Sequence, residues 1–109
     1  MKTKHQLLEI AAKEFGSTPN VIRGPRRTRR ASNARDAISY IMHLYGYTHE
    51  EISKLVNRNR ASVTKGIDRV KTRLRSNKDR DLIYLQALHK ACFHAGIHMP
   101  SYKLKSDEA

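Results

Sequence analysis

Apolar residues recur along this chain at helical spacing, and no stretch alternates as a strand would. Val63, Ile67, Val70 and Leu74 follow one another at steps of four, three and four, the period of one helix face. Residues 3–15 place Leu7, Leu8, Ala11, Ala12 and Phe15 on one side, with Gly16 ending that helix. From about Ser32 to Tyr45, the positions Ala34, Ala37, Ile38, Ile41, Met42 and Tyr45 form an apolar stripe, which predicts the central core helix. Ile52, Leu55 and Val56 are the buried positions of a shorter helix beginning at residue 49. The last helix, to about Ala95 before Gly96, is apolar at 82–85, 87–88 and 91–93, wider than a single core-facing stripe. The pattern predicts an all-α protein of five to six helices.

Turn and cap residues set the boundaries. Thr18-Pro19 reads as an N-cap with proline at the first helical position, opening a short turn to Ile22. Residues 23–30, RGPRRTRR, read as a loop broken by Gly24 and Pro25. Thr48 and Glu51 form a capping-box pair. Asn57 to Asn59 make the next turn, with Asn59 as N-cap of the helix that follows, and Ser76 with Asp79 is read as opening the last helix. Residues 1–99 are expected to form one helical domain, and 100–109 a polar tail. The two helices flanking Asn57–Asn59 read as a central helix-turn-helix, whose second helix enters the DNA major groove.

Charge sharpens that reading. The net charge is +12. Residues 21–35 hold six arginines and no acid, and residues 57–75 hold seven cations and only Asp68. The other segments nearly cancel, so the excess lies in two places, as a binding footprint would concentrate it. Around the seam of the second of these helices stand Arg60, Ser62, Thr64, Lys65, Arg69, Lys71 and Arg73. Hydroxyls and long cations on an otherwise amphipathic helix suit a polyanion.

Other classes fall away. One cysteine, Cys92, excludes an intrachain disulfide and a Cys-rich zinc module. Cys92, His94 and His98 stand close in sequence, but Gly96 breaks the helix and no fourth ligand is evident, so no metal site is assigned. No apolar run reaches membrane-spanning length and MKTKHQ is not a signal peptide, so a cytoplasmic, nucleoid-associated protein is expected. No Ser-His-Asp or paired-carboxylate arrangement stands out, and no Gly-x4-Gly-Lys-Ser/Thr loop is present. The expectation is a non-enzymatic protein without cofactors.

The order of a short amphipathic helix, a basic loop, a long helix opening with an Ala-Arg pair and then a helix-turn-helix resembles the C-terminal DNA-binding domain of the bacterial replication initiator DnaA. That family's fold is like the Trp repressor's. The resemblance covers roughly residues 5–90 and is carried by RRTRRASNARDAISYI and HEEISKLVNRNRASVTKGIDRV. The family signature, Gly-Gly-Arg-Asp-His-Thr-Thr-Val, is met here by the shorter run Asn57-Arg58-Asn59-Arg60-Ala61-Ser62-Val63. The resemblance implies that Arg27 enters the minor groove and Arg35 touches the DNA backbone. Asp36 stands where the family has glutamine. Arg58 matches the signature arginine. Asn59 and Arg60 stand where the family reads bases with Asp-His, Ala61 replaces a threonine, and Ser62 keeps a hydroxyl. The phosphate and minor-groove machinery is kept while the base-reading edge changes, so an altered DNA site is expected. A free-standing regulator, of phage or mobile-element origin, fits better than an excised fragment.

The candidate DNA-binding set is Arg23, Arg26, Arg27, Arg29, Arg30, Arg35, Arg58, Asn59, Arg60, Ala61, Ser62, Thr64, Lys65 and Arg69. Within it, Arg60 suits guanine O6 and N7, and Asn59 suits adenine. The expected function is sequence-preferring binding of double-stranded DNA in replication or transcription control. A protein-interaction module docking a host partner through the last helix is the alternative, and residues 82–93 are the candidate homodimer contact. An RNA adaptor ranks third, because neither basic segment holds an aromatic to stack bases.

Overall fold

The helix built on the Ala34–Tyr45 stripe is the hub of the protein. The computed structural model describes residues 2–25, 27–76 and 78–97. Among the described residues six α-helices are formed: α1 (Lys4–Glu14), α2 (Pro19–Arg23), α3 (Arg29–Leu44), α4 (His49–Val56), α5 (Arg60–Ser76) and α6 (Leu82–Ala95), with a 3₁₀ turn at Asp79–Asp81 before α6. There is no strand among the described residues. All five other helices pack on α3, and α1 also packs on α6. One core cluster takes residues from every α-helix, with Leu7, Ile22, Ile38, Ile52, Ile67 and Leu85 fully enclosed. Each such side chain contributes about 1.5–3 kcal/mol by leaving water.

Most boundaries follow the local signals. Thr18 caps α2 by accepting the Val21 N–H, with Pro19 at the first helical position. Thr48 and Glu51 make a reciprocal capping box, and α4 begins at His49. Asn57 ends α4 in the left-handed conformation, φ 56°, which asparagine tolerates better than most residues. Asn59 Oδ1 accepts the Ser62 N–H at 2.7 Å, capping α5. Gly96, φ 74°, closes α6.

Two boundaries differ from expectation. Helix α3 starts at Arg29, not near Ser32, because Thr28 Oγ1 accepts the Ala31 N–H and caps it. Arg29 and Arg30 therefore belong to the first turn of α3 and not to the loop. Ser76 does not open the last helix. It ends α5, its hydroxyl donating to the Thr72 carbonyl at 2.9 Å, and α6 begins only after the 3₁₀ turn.

The wide apolar surface of α6 is largely used inside the chain. Tyr84, Leu85, Leu88, Ala91, Cys92 and Ala95 are buried. Ile83 and Phe93 remain 81% and 75% exposed. They lie toward one exposed side of the helix at its two ends, with exposed Gln86 and Lys90 between them on that side, so they do not form a continuous apolar stripe. Cys92 is a core residue whose thiol burial pushes up to about 11. His94 Nε2 lies 3.5 Å from Glu14 of α1. His98 and the expected tail 100–109 lie outside the described residues. Among the described residues, no group of three metal-ligating side chains converges and no helix is long and apolar enough to cross a membrane.

Candidate nucleic-acid interface

Helix α5 buries Val63, Gly66, Ile67 and Val70, and this seam fixes which side chains face outward. Arg60, Ala61, Ser62, Lys65 and Arg69 are exposed. They occupy the first three turns, where a recognition helix meets base edges and the phosphates beside them. Thr64 is more committed than its neighbours. Its hydroxyl donates to the Arg60 carbonyl at 3.1 Å. The single hydroxyl proton is then used, so His49 Nδ1–H is the donor to Thr64 Oγ1 at 2.8 Å. That bond ties the first turn of α4 to α5. Asn59 is committed too, since its carbonyl oxygen holds the cap. Bidentate pairing with adenine needs that same oxygen, so cap and base compete for it.

The end of α2 is stitched to the helix-turn-helix through its own carbonyls. Arg35 Nε donates to the Ile22 carbonyl at 2.9 Å. Asn57 Nδ2 donates to the Arg23 carbonyl at 3.2 Å. Arg58 Nη2 donates to the Gly24 carbonyl at 2.6 Å, while its Nη1 reaches the Asn57 carbonyl at 2.9 Å. The last carbonyls of a helix have no partner within it and need donors from elsewhere. Here α3 and the α4–α5 turn supply them at three consecutive residues. The cost is electrostatic: burial, and then repulsion from Arg58, lower the Arg35 pKa from its usual value.

This stitching sets the end of α2 beside the α4–α5 turn. Arg27 and Ser32 line the same cleft of about 320 Å³ as Arg35, Arg58, Ser62 and Arg69. At its floor Asp36, only 7% exposed, joins Arg69 by two bonds: Nε to Oδ2 at 2.8 Å and Nη2 to Oδ1 at 2.9 Å. Gly66 makes room for the carboxylate, because a Cβ there would fall 2.7 Å from Asp36 Oδ1. The position where the resemblance offers glutamine thus orients a helix α5 cation. Asp36 also holds the Arg69 guanidinium above its usual pKa.

The other candidates distribute around this cleft. Arg23 is exposed at the end of α2, and Arg29 and Arg30 are exposed at the start of α3. Arg26 lies outside the described residues. Sequence reasoning missed Ser32 as a wall of the cleft, His49 as the partner of Thr64, and Gly66 as the space for Asp36. Only the glycine left a trace in the sequence, as a residue with poor helix propensity inside a buried helix face.

Comparison with known proteins agrees with this geometry. The model of the bacterial DnaA protein helix-turn-helix family matches residues 5–70, more than half of the chain. The match ends inside α5, short of the span expected from the sequence, and leaves the 3₁₀ turn and α6 outside it. Among curated proteins no sequence matches. An all-α fold, a helix-turn-helix at α4–α5 and a family match that runs through α4 into α5 lead to one conclusion: the chain belongs to the DnaA C-terminal helix-turn-helix family of DNA-binding domains.

Proposed function

We propose that this protein is a sequence-preferring binder of double-stranded DNA that regulates replication or transcription. Helix α5 enters the major groove with Arg60, Ala61, Ser62 and Lys65 toward the bases and flanking phosphates. The loop around Arg27 follows the adjacent minor groove. The observation that carries this reading is the tie of the Ile22, Arg23 and Gly24 carbonyls to Arg35, Asn57 and Arg58. It holds the end of α2, from which the loop leaves, against α3 and the α4–α5 turn, so the start of the loop is already placed beside the helix-turn-helix before DNA binds. Preorganisation of that kind spares affinity the entropy of ordering. Arg60 is the leading base reader, because it opens α5, is exposed and has no ion-pair partner among the described residues.

Selection of bound duplexes from a random pool tests this. A recovered consensus containing guanine at a position that Arg60→Ala relaxes is the expected result. Recovery of unrelated sequences, with no consensus, would reduce the reading to non-specific binding.

A further inference from the structure

We propose that a second groove, between α5 and the α6 end of the protein, holds the sugar-phosphate backbone of DNA flanking the recognised site on one side. The inference rests on the DNA-binding reading above and extends it to residues outside the family match. The groove is an open depression of about 1120 Å³, lined by the end of α1, the starts of α3 and α6, the outer face of α5 and the 3₁₀ turn. Lys65 and Arg69 lie on its edge, and Arg69 also lines the cleft shared by Arg27 and Ser62. The groove is therefore continuous with the proposed DNA surface and not a separate site.

Its charge fits a polyanion. Among the groove's acids, Asp81 is engaged by Arg73 at 3.9 Å, leaving Glu14, which lies 3.5 Å from His94, and Asp68 as the remaining negative charge. Against it stand Arg29, Arg30, Lys65 and Arg80, none within ion-pair distance of an acid among the described residues. The floor is rigid: Arg73 stacks over the buried Tyr84 ring at 4.0 Å, and Tyr84 meets Phe15 at 5.1 Å between ring centroids. Tyr84 is thus covered and offers no face for stacking a base. Cations above a closed floor suit a backbone better than an unpaired base. Because Arg80 follows the C-terminal end of α5, past the turns proposed to face the bases, it would meet DNA on one flank of a bound site.

The test uses the whole chain and three duplexes. One is a selected site trimmed to its sequence-preferring base pairs; the others extend it by about five base pairs at one end or the other, roughly half a helical turn. Extension at one end only should tighten binding about threefold to tenfold at low salt. It should also steepen the salt slope by about one to two, as one or two added phosphate contacts would. Arg80→Glu, on an exposed turn, should abolish that gain and leave affinity for the trimmed duplex unchanged; Arg80→Lys should keep most of it. If the trimmed duplex binds and neither extension changes affinity or slope, the groove proposal is overturned while the DNA reading stands. If no duplex binds even at low salt, both fall. A poly-glutamate peptide that binds the wild type but not Arg80→Glu, with no flank effect on DNA, would assign the groove to an acidic protein segment and overturn the proposal.

Discussion

Asp36 and Arg69 form a two-bond pair at 2.8 and 2.9 Å that crosses from α3 to α5, with the carboxylate seated where Gly66 lacks a side chain. The pair fixes the azimuth of α5 against the hub helix α3. It also makes an exacting prediction. Gly66→Ala should destabilise the wild type by about 1–3 kcal/mol, the usual cost of overpacking. In an Asp36→Ala background the same change should become neutral or stabilising, because alanine is the better helix former by about 1 kcal/mol. Denaturant unfolding of the four proteins measures this coupling. Additive effects would show that the carboxylate and the missing Cβ do not compete for space.

The resemblance sets Arg58 against a signature arginine of the family; in the structure Arg58 spends two bonds on the Gly24 and Asn57 carbonyls. Arg58→Ala should therefore cost about 1–3 kcal/mol of stability, as expected for charge-assisted bonds. It should also speed trypsin cleavage within residues 23–30 before the rest of the chain is cut. Unchanged cleavage in that segment would mean that Arg58 does not hold the loop.

Readout and positioning should separate at Arg60 and Arg27. Arg60→Ala should lose about 1–3 kcal/mol on the preferred site and relax one base position. Arg27→Ala should weaken binding with a smaller change in base preference, since the minor groove carries a degenerate code. Equal losses on preferred and random duplexes for Arg60→Ala would make Arg60 a phosphate contact.

His43 gives the fold a pH dependence with a definite sign. Burial, then Lys71 and His49, lower its pKa from 6.5. The unfolded chain therefore binds that proton more readily than the folded one, and stability falls as pH drops below the unfolded value. Thermal unfolding should show a lower melting temperature at pH 5 than at pH 7. His43→Gln should flatten that difference. A melting temperature that rises on acidification, or an unchanged slope in His43→Gln, would contradict the assignment.

What the sequence made legible was local. The Thr48–Glu51 box, the Thr18-Pro19 opening and the Asn59 cap each bond within four residues, so residue types and spacing suffice. Thr28 was equally local but was hidden among arginines, which read as loop although arginine is a good helix former. Long-range partners left little trace. Nothing around Asp36 announces a guanidinium 33 residues away, and nothing around Arg58 announces a carbonyl 34 residues away. The breadth of α6 was visible, but not which share the core would take: α1 and α3 cover Leu85 and Leu88 and leave Ile83 and Phe93 outside.

Salt dependence of duplex binding tests the central claim most directly. The loop and α5 together should neutralise about five to eight phosphates, giving a log–log slope of affinity on salt of roughly −4 to −7. Arg27→Ala and Lys65→Ala should each reduce its magnitude by about one. A slope near zero, or no duplex binding at low salt, would contradict the account.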